Sequence, residues 1–565
     1  MSVLEKSTET AVRDTDSQPS TERASSHDET KSVEEDREWP GTAEVAGVMV
    51  AICLAVFLGA LDRTIIATAI PKITDEFKSL DDVGWYGSVY LLTFCCFILP
   101  IGELFTYYSP KWVFLAVLAL FEVGSAVCGA APNSKALIVG RAIAGVGSAG
   151  VITGCNVLIT YTVPLAKRPK FQGLIGASFG IASVVGPVLG GAFTSKVSWR
   201  WCFYINLPVG AVSIIFIALI LKPTKTAYNM SAISWKQQVL RMDPLGTFFS
   251  IPALICLLLA LQWGGTLYSW SDGRVVACLV VFAVLWIGFI VVQIFNNENA
   301  TIPHRIICNR NVLAGLLYTF CHGSTLTTLV FYMPYYFQAI KGVSALKSGI
   351  DTFPFIIALV VGIITCGVLT QKIGYYTPFA YVCIILASTG LGLISTWSPT
   401  TNHSQWIGYQ VIAGLGLGIG FQPAIMAAQT VLPHRDQAMG ISLVQFSQLL
   451  GGSVFVAVAQ NLLTTRLAAG LPSIIPNFDA SSLASVGATE IRSLAPPEAL
   501  GQVVEIYMEA LRQIFYMLTG LACSLTLGAA GLQWISVKDP NAAGQAKAKS
   551  NEEDDGRDES QQAKV

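Results

Sequence analysis

Charge is what this sequence has least of. Only 13% of its 565 residues are Asp, Glu, Lys or Arg, about half the roughly 25% of soluble domains. Apolar residues make up 53%, and the mean hydropathy is +0.57. The charges are also unevenly spread. Residues 1–40 hold 11 acids, 5 bases and 12 Ser or Thr, residues 538–565 hold 7 acids and 5 bases, and residues 41–537 keep 18 acids and 25 bases. A chain with so long a weakly charged middle is not a soluble globule. A net charge of −1 with acidic ends leaves no basic stripe for nucleic acid. Histidine is scarce: the five, His27, His304, His322, His403 and His434, are dispersed, which argues against an enzyme. The 13 cysteines include no CxxC and no Cys/His set at zinc spacing, so they read as small hydrophobes in apolar runs. No Gly-Lys dipeptide occurs, which removes a P-loop and with it an ATP-driven pump. Met1–Pro40 has no apolar core of a cleaved signal, so the first apolar run is expected to target the chain.

What is present is a series of apolar runs. A helix needs about 20 apolar residues to cross a bilayer. Fourteen stretches meet that length: 45–70, 84–106, 112–131, 136–161, 171–193, 200–221, 244–262, 275–295, 312–337, 348–370, 377–397, 405–430, 438–462 and 512–535. The expected organisation is an acidic disordered tail (1–43), a six-helix bundle (44–221), a linker with two extra helices (222–310), and a second six-helix bundle (311–537). A long outer loop (463–511) lies within the second bundle, and a disordered tail (538–565) ends the chain. Within 222–243, Trp235, Val239, Leu240 and Met242 alternate with Lys236, Gln237, Gln238 and Arg241, which suits either an interfacial helix or a plain linker. An even number of spans puts both tails on one side. The dense basic loop Lys167-Arg168-Pro169-Lys170 and the phosphorylatable tails place that side in the cytosol. Asn402, in the sequon Asn402-His-Ser404, then falls outside as a glycosylation candidate.

The chain repeats itself. Arg141-Ala-Ile-Ala-Gly145-Val-Gly147 in the fourth span is echoed by Gln410-Val-Ile-Ala-Gly414-Leu-Gly416 in the twelfth, and Gly102-Glu-Leu104 by Gly367-Val-Leu369. The offsets, 269 and 265, are nearly equal, as a duplicated six-span unit requires.

Ionisable groups inside a bilayer are costly, so each is a functional candidate. Asp62 lies eight residues before the expected end of the first span, and Arg141 sits at a similar depth in the fourth. A carboxylate beside an arginine can exchange a proton with a strength set by that partner. Arg63 is a nearer competitor but points about 100° away around the helix. The same pair could also be a static tie between helices. Glu122, near the middle of the third span, is a second protonation candidate. Gly173, Gly186, Pro187, Gly190 and Gly191 make the fifth span a close-packing, bendable seam. Trp85, Tyr86, Tyr90, Tyr318, His322, Tyr332, Phe421, Gln422, Gln445 and Gln448 form an aromatic and amide set suited to a bulky amphipathic ligand. Aromatic residues near span ends serve equally as interfacial anchors.

Four of these stretches in order resemble the major facilitator superfamily, in its fourteen-span drug:proton antiporter branch. Leu61-Asp62-Arg63-Thr64 with Pro71 resembles the branch's first-span signature, and Arg141 with Gly145 and Gly147 the fourth-span motif. Gly173, Gly186-Pro187 and Gly190-Gly191 resemble the antiporter motif, with Ala182 in place of a usual glycine. Trp199-Arg200-Trp201-Cys202-Phe203-Tyr204-Ile205-Asn206-Leu207-Pro208-Val209-Gly210 is similar to the start of the branch's sixth span. One departure is clear. The loop after the second span, Gly102-Glu-Leu104-Phe-Thr106-Tyr-Tyr-Ser109-Pro-Lys111, lacks the superfamily's usual acid and first arginine. That variant, with Trp85-Tyr86-Gly87-Ser88, resembles fungal toxin and secondary-metabolite efflux carriers.

The resemblance implies an all-α integral membrane protein with the major facilitator fold, two six-helix pseudo-repeats and two inserted helices. It implies proton-coupled efflux of a small, largely apolar organic compound, with Asp62 and Arg141 coupling the proton. The alternatives are an importer of the same fold, for an iron–siderophore complex or an amino acid, and, behind it, a non-transporting membrane receptor. No cofactor is expected beyond a proton gradient. The expected partners are the small-molecule substrate, protons and the lipid bilayer, with the chain working as a monomer in the plasma membrane or a vacuolar or vesicle membrane.

Overall fold

The computed structural model describes residues 39–79, 82–223, 233–265, 268–296, 299–474 and 499–538. Of the expected tails, 1–43 and 538–565, residues 1–38 and 539–565 lie outside them, while Thr42 and Ala43 already belong to the first helix. Among the described residues, thirteen helices are long and apolar enough to cross a membrane. They are α1 (Thr42–Phe77), α2 (Val83–Tyr107), α3 (Pro110–Ala130), α4 (Ser134–Thr162), α5 (Leu165–Lys196), α6 (Trp201–Ile220), α7 (Pro244–Trp263) and α8 (Gly273–Asn296), followed after α9 by α10 (Lys347–Ile373), α11 (Thr377–Ile394), α12 (His403–Val431), α13 (His434–Gly470) and α14 (Leu500–Gly531). The remaining helix, α9 (Arg310–Tyr335), has 26 residues and a more polar makeup. It is polar because it is interior: Thr319, His322, Ser324, Thr325 and Thr328 are buried against neighbouring helices rather than facing lipid. The fourteen-helix, all-α architecture is as expected.

Three helix limits differ clearly from the sequence reading. The first helix continues to Phe77, and α13 and α14 extend to Gly470 and from Leu500. Much of the expected 463–511 loop is therefore helix, with residues 475–498 outside the described set. Hydropathy marks only the lipid-crossing part of a helix, and these helices run past it.

Residues 42 and 531 share one face of the molecule, termed the near face; the opposite face is the far face. The duplicated segments make the same contacts. Arg141 Nε donates to the Tyr86 carbonyl (2.9 Å), and Gln410 Nε2 to the Asp351 carbonyl (3.0 Å), so α4 meets α2 as α12 meets α10. A Cβ on Gly145 would press on the Tyr90 carbonyl, and one on Gly414 on that of Phe355. Both pairs of contacts keep the offsets read from the sequence.

Over the near half, the two bundles are in contact. Thr153 of α4 donates to Gln445 of α13 (3.0 Å), and Arg168 Nη1 of α5 to Gln437 Oε1 (3.3 Å). Gly102 of α2 lies against Ser442, and Gly367 of α10 against Pro169 and Gly173 of α5. Where the superfamily's charged loop residues are missing, Lys111 instead donates to the Ala218 carbonyl at 2.7 Å.

The inserted pair is peripheral. Helix α8 exposes Val280, Val284, Ile287, Ile294 and Phe295, a face that only lipid stabilises. Between α6 and α7, a short helix (Trp235–Arg241) exposes Trp235, Val239 and Leu240, in keeping with an interfacial position. Asp243, with left-handed φ of 40°, anchors the pair. Its buried carboxylate accepts from Gly246 N, Gln293 Nε2, Asn296 Nδ2 and both Thr301 N and Oγ1. Hydrogen bonds to a charged group contribute about 1.5–3 kcal/mol each, and stranded donors add their own penalty. Asp243→Ala is therefore expected to destabilise the protein by about 3 kcal/mol or more. The measurement is the thermal-unfolding midpoint of the detergent-solubilised chain; an unchanged midpoint would refute the anchor.

Candidate functional site

The site begins with how closely α4 approaches its neighbours. A Cβ on Gly147 would collide with the Phe121 backbone of α3, and one on Gly145 with that of α2, so only glycine lets α4 seat Arg141 inside the bundle. Arg141 Nη1 meets Asp62 Oδ2 at 2.5 Å, and its Cζ lies 4.3 Å from the Tyr90 ring centroid. The second carboxylate oxygen of Asp62 accepts from Asn206 Nδ2 at 3.2 Å, and the same amide nitrogen reaches Ser125 Oγ at 3.1 Å. Asp62, Asn206 and Ser125 are fully buried and Arg141 is 1% exposed. The Asp62 carboxylate ties α1 to α4 and α6, and Asn206 extends the cluster to α3 through Ser125.

Asp62 and Arg141 are thus brought together as the sequence suggested, although α1 places Asp62 farther from its own end than the eight residues expected, because the helix runs on to Phe77. Asn206 and Ser125 were missed. The signal for Asn206 was an amide in the apolar run Ile205-Asn206-Leu207. Ser125 had none, since a serine in a packed helix usually bonds its own backbone. Glu122 lies one helical turn from Ser125, packed against Gly210, and among the described residues neither carboxyl oxygen has a hydrogen-bond partner. Arg63 is half-buried and is not paired with Asp62.

The glycines of α5 divide between two neighbours. Gly186 and Gly190 receive Thr64 and Thr68 of α1 within the same bundle, whereas Gly173 faces Ile363 and Gln422 of the other. Gly191 has open space around it, and the helix runs through the half-buried Pro187 without a break. At the far face, Trp199 and Arg200 clamp the end of α1. Trp199 Nε1 donates to Glu76 Oε2 (2.6 Å), and Arg200 reaches Glu76 Oε1 (2.8 Å) and the Ala131 carbonyl (2.6 Å).

Of the aromatic and amide set, Tyr318, His322 and Phe421 come together, with His322 6.1 Å from each of the other two rings, while the rest are distributed over several helix contacts. Tyr86 bonds Ser134, Tyr90 approaches the Gly59 carbonyl, Tyr318 reaches the Gly420 carbonyl and Tyr332 reaches Gln460; all four rings are buried between helices. His322 is buried, stacks on Tyr318 and bonds the Leu417 carbonyl at 2.8 Å. Gln422 donates to the Ile363 carbonyl and Gln445 accepts from Thr153. Trp85, Phe421 and Gln448 are half-buried, and Asn402 is exposed at the start of α12.

The sequence profile described as Major Facilitator Superfamily matches residues 52–456. The chain belongs to the Major Facilitator Superfamily. Its membership makes it a transporter rather than an enzyme. It is 50% identical over 495 residues to "MFS-type efflux pump MFS1" of Trichophyton rubrum, covering 88% of this chain and 92% of that one. It is 46% identical to "Efflux pump aflT" of Aspergillus parasiticus, covering 87% and 96%. Among solved structures, the proton:xylose symporter XylE overlaps with a TM-score of 0.55 at 11% identity, across 90% of this chain and all of that one. At that identity the overlap speaks for the fold alone.

Proposed function

We propose that this transporter exports a small, largely apolar organic compound, such as a toxin, drug or secondary metabolite, in exchange for protons by alternating access. The observation that carries this reading is the buried Asp62–Arg141–Asn206 cluster. It holds one carboxylate at the junction of α1, α4 and α6, where gaining a proton would release Arg141 and loosen their packing. The names of the relatives, efflux pumps across nearly their whole length, support the outward direction. The near face is assigned to the cytosol and the host membrane to the plasma membrane. The working unit is a monomer, and the proton gradient is the sole energy source. One charge crossing 100 mV supplies about 2.3 kcal/mol and each pH unit about 1.4 kcal/mol.

The test is substrate flux and proton movement in sealed vesicles under an imposed pH gradient, with a panel of apolar metabolites. Substrate moving against the proton is the expected result. Substrate moving with it would make the protein an importer, and indifference to the gradient would end the proton-coupled reading.

A further inference from the structure

Arg63 is the cation that the coupling cluster leaves over. Asp62, its neighbour in sequence, is spent on Arg141 and Asn206 on another face of the helix. Among the described residues, Arg63 forms no hydrogen bond and no ion pair, while Tyr90 and Arg141 are the groups within its electrostatic reach. An arginine cannot shed its proton to escape that position.

The helix geometry says where Arg63 looks. With 100° per residue, the α1 side carrying Ile52, Gly59 and Asp62 meets α4 through Cys155, Ser148 and Arg141. The side carrying Thr64 and Thr68 meets α5. Arg63 projects into the sector between those two helices, not toward lipid, where a guanidinium would be prohibitively costly. Along this sector Met49, Val56 and Ala60 are buried, Arg63 is half-buried and Ala67 is exposed. The exposure is local, centred on Ala67, with Ile70 half-buried and Thr74 buried again beyond it, as on the wall of a cleft between α4 and α5. The guanidinium stands where the cleft begins.

Water solvates that charge while the cleft is open. Closing over a neutral molecule would strip the water and leave an unpaired guanidinium in a low-dielectric interior. Closing over an anion would form a pair, and the planar fork matches a carboxylate in particular. On the return leg the empty cleft keeps its water. We propose that Arg63 is the anion-binding residue of the cargo site, and that the cargo is an apolar organic acid carried as its carboxylate, phenolate or enolate anion. This deepens the exporter reading and rests on it for the word cargo.

The test is equilibrium binding to the full chain in lipid nanodiscs, with 1-pyrenebutyrate and its uncharged amide, 1-pyrenebutyramide, as probes. Wild type is expected to bind the acid about 10-fold more tightly than the amide, equivalent to about 1.4 kcal/mol. Arg63→Gln should bring the acid to the affinity of the amide while leaving the amide unchanged, and Arg63→Lys should keep part of the preference. The proposal is overturned if wild type binds neither probe, if it binds both equally, or if the preference survives in Arg63→Gln. The wild-type comparison needs no variant to fold. Binding at equilibrium needs no gradient, so a failure of proton coupling would sink the antiport reading and leave this preference standing.

Discussion

Asp62→Asn is expected to abolish uphill export and leave a chain that at most equilibrates its substrate. A coupled carrier working on 100 mV and one pH unit has about 3.7 kcal/mol per proton, enough for a roughly 500-fold concentration ratio. Without a titrating carboxyl that ratio should fall to unity. Asparagine keeps the size of aspartate and can still accept from Arg141, so the packing of α1 against α4 and α6 has no steric reason to change. The electrostatics do change. Arg141 would lose the countercharge that it meets at 2.5 Å, and breaking a buried pair costs about 3–5 kcal/mol. Asp62→Asn should therefore also unfold more readily. Pairing it with Arg141→Gln should recover part of that stability and none of the coupling. Accumulation ratios in vesicles, read beside unfolding midpoints, separate the two effects. A single variant that still builds a gradient would show that Asp62 is structural.

The pair itself was legible because charge is so rare in this chain that two opposite charges at similar depth in a membrane have few other uses. The fourteen helices and the repeat were legible from hydropathy and glycine spacing, and the equivalent carbonyl contacts of Arg141 and Gln410 follow the same offsets. What the sequence hid was which face each residue takes. Tyr90, Tyr318 and His322 read as ligand contacts by chemistry, yet each is buried with its polar atom facing a backbone carbonyl. Asn206 read as part of a motif and turned out to hold the other oxygen of Asp62. Helix ends were hidden for a different reason: once a helix leaves the hydrocarbon core, amphipathic residues such as those of Leu500–Leu511 continue it without any apolar run.

The second large effect concerns closure rather than coupling. Gly367 of α10 lies where a Cβ would sit 2.5 Å from the Pro169 carbonyl oxygen and 3.3 Å from Gly173 Cα. The first contact is backbone, which cannot rotate aside as a side chain could. Gly367→Val therefore has to separate α5 from α10 at the near face, where Gly176 against Ile363 and Gly180 against Val360 continue the same contact. Overpacking of this kind costs about 1–3 kcal/mol. That cost falls on the near-closed arrangement alone, so the equilibrium should move toward a near-open one by about 5- to 150-fold. Transport should fall accordingly, while the Asp62–Arg141 cluster, on other helices, stays intact. Spin labels at the exposed Lys170 and Lys372, one on α5 and one on α10, should report a longer and broader distance distribution in the variant. Gly191→Val is the control: it lies in α5, the other helix of this contact, but among the described residues has no neighbour within 4 Å of its would-be Cβ. It should leave both distance and transport near wild type. If Gly367→Val leaves the label distance unchanged, the α5–α10 contact does not gate the near face, and the moving seam must be sought between α2 and α13, at Gly102 and Ser442.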